Sequence, residues 1–73
     1  MIRCRLAVLM GERKVRVADV ARDAGVNRSL VTGLYYETTQ RIDLESLNAL
    51  CRYFGCKVED LFVYVPDGDS KTD

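Results

Sequence analysis

Residues 17–36 read VADVARDAGVNRSLVTGLYY, and the spacing of their apolar and small side chains decides the fold. Val17, Val20, Ala21 and Ala24 recur at three and four residues, the period that places side chains on one helix face. Gly25 follows where that helix ends, because a left-handed residue closes the last turn and glycine adopts that conformation without a Cβ clash. Asn27 suits the start of a second helix, its side-chain oxygen accepting from a free N–H of the first turn. Ala21 is the small residue that lets two helices cross closely, and Val26 fills the gap under the turn. Val31 and Leu34, with Leu30 beside them, seat the second helix on the first. The outward face of the second helix then carries Arg28, Ser29, Thr32, Gly33 and Tyr36, with no acidic residue before Glu37.

Working outward, Leu6, Leu9, Met10 and Arg13 repeat the helical period and mark a preceding helix from about Arg5 to Lys14. Glu37 to Asp43 breaks the period and reads as a polar loop. Asp43 caps a further helix, with Glu45 at its positive end and Leu44, Leu47, Leu50, Cys51 and Phe54 along its inner face. Gly55 stops that helix. Val58, Leu61 and Phe62 indicate a short fifth helix, although Lys57 is a poor residue at its cap. Val63, Tyr64 and Val65 are β-formers ahead of Pro66, and only Ile2, Arg3 and Cys4 offer a segment to pair with them. They form either a two-stranded ribbon joining the termini or an irregular tail. Residues 67–73, DGDSKTD, are polar and small and are expected to be disordered. The expected architecture is thus all-α, five helices in one domain over residues 1–66.

The bulk properties narrow the function. A chain of 73 residues is near the size at which one apolar core just holds a fold. Its formal charge is zero, so a uniformly basic coat for nucleic acid is excluded. The charge is nonetheless polarised. Residues 1–41 hold eight basic groups against four acidic ones, and residues 42–73 hold three against seven. Cys4, Cys51 and Cys56 fit neither a disulfide framework nor paired zinc-ligand spacing, and the chain has no histidine, so the thiols read as small core residues in a reducing cytosol. No apolar run approaches the length of a membrane span, and the first ten residues include two arginines, which disfavours a signal peptide. A cytoplasmic protein without cofactor, metal or evident small-molecule ligand is expected. The missing histidine, phosphate loop and carboxylate pair also argue against an enzyme.

The 17–36 segment resembles the helix-turn-helix of the Cro/CI (XRE) family, and the resemblance extends over about residues 5–62. The loop after the motif carries Thr39, Gln40 and Arg41, then comes a helix ending in glycine (LNALCRYFG) and a short turn ending in apolar residues (VEDLF). Five elements in the right order and lengths are a specific match, whereas alanine and glycine four apart alone are weak.

The resemblance implies a lambda-repressor-like DNA-binding bundle whose recognition helix, about residues 28–36, enters the major groove of double-stranded DNA. Arg28 is then the first candidate for base reading, since its planar fork can donate two hydrogen bonds to guanine, worth about 1–3 kcal/mol of discrimination. Ser29 and Thr32 are adaptable hydrogen-bonders, and the Thr32 methyl suits a thymine methyl. At Gly33 a base-reading side chain is missing, or its absence permits closer approach. A glycine inside a helix costs roughly 1 kcal/mol against alanine, which calls for a functional or packing reason. Asn27, Gln40 and Arg41 fit phosphate contacts, with a pure cap and a solvated loop as the plain alternatives. Tyr36 either lies on sugar-phosphate or covers the core edge. Where many relatives begin the first motif helix with a capping Ser or Thr and a phosphate-binding Gln, this chain has Arg16 and Val17, so Arg16 would replace that anchor through charge. Few phosphate contacts mean weak monomer binding, and a homodimer on a palindrome is the expected remedy. The competing function is a protein-interaction module, such as an antitoxin-like protein or adaptor, offering Val63–Val65 as a strand edge.

Overall fold

The computed structural model describes residues 1–66, so the tail expected to be disordered lies outside the described residues. In chain order the elements are β1 (Ile2–Cys4), α1 (Leu6–Arg13), α2 (Val17–Ala24), α3 (Arg28–Tyr35), α4 (Leu44–Phe54), α5 (Val58–Leu61) and β2 (Phe62–Tyr64). The helices gather one core of Leu6, Met10, Val20, Val31, Leu34, Leu50, Phe54 and Leu61, with no buried polar residue among the described ones. Each such Leu or Phe contributes about 1.5–3 kcal/mol by leaving water. α2 packs against both α3 and α4, and Ala21 lies half-buried against the core.

Of the two readings open for the termini, the ribbon is the one formed. β1 and β2 run antiparallel with Ile2 opposite Tyr64, Arg3 opposite Val63 and Cys4 opposite Phe62. The ladder extends one pair further, through Val65 N–H to the Met1 carbonyl at 2.8 Å.

Four helices finish in the same backbone turn, in which a left-handed residue follows the helix and the next N–H reaches back five residues. The left-handed residues are Lys14 (φ 58°), Gly25 (φ 74°), Glu37 (φ 59°) and Gly55 (φ 62°). The closing bonds are Val15 N–H to Met10 O at 3.1 Å, Val26 to Ala21 at 3.1 Å, Thr38 to Gly33 at 2.8 Å and Cys56 to Cys51 at 3.0 Å. At three of these ends the two residues so joined are apolar and pack on the core. At the end of α3 they are Thr38 and Gly33.

One expectation changes and one gains its reason. Leu44, placed on the inner face of α4, is 80% exposed. It is the first residue after the Asp43 cap, where the helix overhangs the core. Lys57 does begin α5, because the carboxylate of Asp60 accepts its backbone N–H at 3.0 Å and supplies a cap contact that a lysine side chain cannot.

Candidate nucleic-acid interface

The outward face of α3 begins at Asn27, whose side-chain oxygen accepts the Ser29 N–H at 2.7 Å, as its cap role requires. Arg28 and Ser29 are exposed, and Thr32 and Gly33 are half-buried. With Thr38 these four line a shallow groove. On its other side Arg28 borders a second depression, shared with Arg16, Asp19, Arg22, Tyr35 and Tyr36. Tyr36 is 67% exposed and meets Tyr35 edge to face at 4.9 Å, so its ring stands in solvent rather than over the core. Gln40 and Arg41 are exposed on the following loop, beside a cleft of about 540 Å³ that Ile2, Ile42, Leu47 and Phe62 also line.

The arginines sort into two sets by what holds them. Arg13 donates to the Tyr53 and Phe54 carbonyls, both at 2.9 Å, and its guanidinium lies over both rings. It caps the end of α4, a role that its place in the stripe of α1 does not announce. Arg22 is paired with Asp23 at 2.9 Å and Asp19 at 3.2 Å. Arg3 is paired with Glu37 at 2.8 Å. Arg28 and Arg41, by contrast, have no hydrogen-bonded or ionic partner among the described residues, and neither has Arg52 in α4. Their forks are available to an external acceptor.

Gly33 has its reason in packing. A Cβ built there would run into the Thr39 hydroxyl and stand 3.2 Å from the Thr39 Cβ, so the loop after α3 lies directly on the helix at this point. The Thr38 and Thr39 N–H groups both reach the Gly33 carbonyl, at 2.8 and 3.3 Å. The glycine therefore admits the loop that carries Gln40 and Arg41.

At the start of α2, Asp19 accepts the Arg16 backbone N–H at 3.0 Å. That bond, followed by the charges of Arg22 and Arg16, holds the Asp19 carboxyl below its ordinary range. The anion site expected at this helix end is therefore partly filled by the chain's own carboxylate, and Arg22 is spent on balancing it.

The thiols are free and half-buried. Burial pushes the Cys4 thiol up, and burial followed by the neighbouring Cys51 pushes Cys56 up, so both stay protonated and unreactive near neutrality. Among the described residues no three potential metal ligands cluster, and no helix is long and apolar enough to cross a membrane.

The sequence model of the Cro/C1-type HTH DNA-binding domain matches residues 5–67. The chain belongs to this family. No curated protein sequence matches it. As a Cro/C1-type HTH domain it is a DNA-binding regulator whose partner is double-stranded DNA. The expected resemblance is thereby established over the bundle. Besides the Arg13 cap, two features escaped the sequence reading, the Arg3–Glu37 pair and the seat of Thr39 on Gly33. The first spans 34 residues and leaves no local pattern, while the mid-helix glycine was a visible signal for the second.

Proposed function

We propose that this HTH domain is a sequence-specific regulator that binds duplex DNA as a homodimer, with the N-terminal end of α3 in the major groove. The observation that carries the reading is that α3 and the loop after it carry two arginines without an internal partner among the described residues, Arg28 and Arg41, whereas Arg3, Arg13 and Arg22 are held. Arg28 reads a base edge, with Ser29 and Thr32 beside it lining the groove. Asn27, Tyr36, Gln40 and Arg41 meet sugar and phosphate and set the register. Gly33 contributes by admitting the loop. Two free arginines at the DNA-facing end, on a chain of zero net charge, release few counterions, so one copy binds weakly and two copies on a palindrome, about 34 Å between heads, bind well.

Selection from random duplexes at low salt tests this. The expected outcome is an enriched palindrome, with Arg28→Ala flattening preference at one position in each half-site. Absence of any enriched sequence would sink the reading.

A protein-interaction role has its own observation. Ile2, Val63, Tyr64 and Val65 are all exposed on the ribbon. On the outer side of β2 the Phe62 N–H is taken by the Val58 carbonyl, but the Phe62 carbonyl and both Tyr64 backbone groups have no partner among the described residues. The same edge suits a second copy of the chain, so the two readings are compatible.

A further inference from the structure

We infer that Glu37 is a positioning residue for the phosphate grip, holding the loop of Gln40 and Arg41 against α3 by a clamp onto β1; the inference rests on the DNA-binding reading above. Glu37 is the left-handed residue that ends α3, at φ 59°. Its carboxylate accepts from Arg3 through Nε at 2.8 Å and Nη2 at 2.9 Å, and from the Cys4 backbone N–H at 3.1 Å. A forked pair with a third donor fixes the carboxylate in orientation as well as in place. The next two residues turn back onto Gly33, and Gln40 and Arg41 follow at once. The ribbon is therefore the anchor from which this loop is set. The clamp also closes the outer edge of β1, since the Cys4 N–H points away from β2 and is taken by Glu37.

Charge and position make opposite forecasts here. A carboxylate close to a phosphate-binding loop repels DNA, so its removal tightens binding if charge alone matters. If Glu37 positions the loop, its removal weakens binding although the protein becomes more positive. Shifts in the angle of the loop act on phosphate contacts, so the loss falls on all sequences alike.

The test compares the full chain with Glu37→Gln and Glu37→Gly on the selected duplex and on a scrambled one, alongside amide exchange without DNA. Glu37→Gly keeps the fold secure, because glycine relieves the left-handed backbone while deleting the clamp. Both variants are expected to bind both duplexes roughly three- to tenfold more weakly, with base preference unchanged and faster exchange at Thr38 and Thr39. Binding as tight as the parent's or tighter, or a loss confined to the selected duplex, overturns the inference. Should the parent bind no duplex, the functional reading falls by itself. Exchange then still decides whether Glu37 sets the loop, and unchanged exchange at Thr38 and Thr39 overturns that too.

Discussion

The ends of α4 and α3 close with the same backbone turn but from opposite materials. At α4, Gly55 takes the left-handed position without a Cβ penalty, Cys51 and Cys56 make the apolar contact beneath it, and Arg13 covers the last carbonyls. At α3 a glutamate takes that position, a threonine and a glycine replace the apolar pair, and an arginine 34 residues away holds the result. An L-residue in this conformation costs roughly 1–2 kcal/mol, so the α3 end sacrifices local stability. What it gains is a polar, charged surface beside the exposed face of α3. A helix end that only serves the core uses glycine and apolar contact; one that sets an exposed polar loop carries the groups that hold the loop.

The largest test of this contrast is at α4. Gly55→Val puts a β-branched residue at φ 62°, where nothing else crowds it, so the backbone term stands alone. Its expected cost is about 2 kcal/mol. For a domain of this size that lowers the melting temperature by roughly 8–16 °C in calorimetry. An unchanged melting temperature would mean that the turn can be remade without its left-handed residue.

Gly33→Ala probes the α3 end from inside the helix. Alanine adds about 1 kcal/mol of helix propensity, but its methyl displaces Thr39, and overpacking costs about 1–3 kcal/mol. A net loss of about 1 kcal/mol is expected by denaturant melts. Adding Thr39→Ala removes the clashing hydroxyl, although the Cβ at 3.2 Å still asks for a small shift. The double variant should therefore be more stable than Gly33→Ala alone. Simple additivity of the two changes would refute the packing account of this glycine.

Lys14→Gly sharpens the comparison in the other direction. Lys14 ends α1 at φ 58° with no side-chain contact to hold it among the described residues, unlike Glu37. Relief of the strained backbone exceeds the entropy glycine brings to the unfolded chain, and a gain of about 0.5 kcal/mol in chemical denaturation is expected. Glu37→Gly should show less gain than Lys14→Gly, because there the relief is offset by loss of the clamp.

How legible each part was follows the range of the interactions. Val17 to Leu34 was readable because a helix period, a glycine stop and an asparagine cap are local signals, and the structure bears out each of them. Leu44 misled because periodicity assigns a face without saying where the helix overhangs its core. Lys57 is as poor a cap as its type suggests, and α5 forms all the same because the side chain that caps it sits three residues ahead, at Asp60. At the candidate site the sequence identified the side chains of the outer face but not which arginines are engaged. That depends on acceptors far along the chain, such as the Tyr53 and Phe54 carbonyls that take Arg13 and the Glu37 carboxylate that takes Arg3.

The smallest expected effect isolates the ionic share of the α3 end. The Arg3 hydrogen bond first, and then the Cys4 N–H, hold the Glu37 carboxyl at about 2 against an ordinary 4.5. The folded state thus binds this proton less readily than the unfolded chain, so the clamp's contribution is complete above the ordinary value of 4.5 and is lost as pH falls toward about 2. Asp19 and Asp43 are also held low, but they are present in both proteins and cancel in a comparison of the parent with Glu37→Gln. The gap in stability between the two should be constant around neutrality and close across that acidic window. The pair is exposed, so added salt should narrow the gap at every pH. A gap that persists unchanged at pH 2 would mean that Glu37 stabilises the turn through its shape or neutral hydrogen bonds, leaving the ion pair with a role in placing the loop alone.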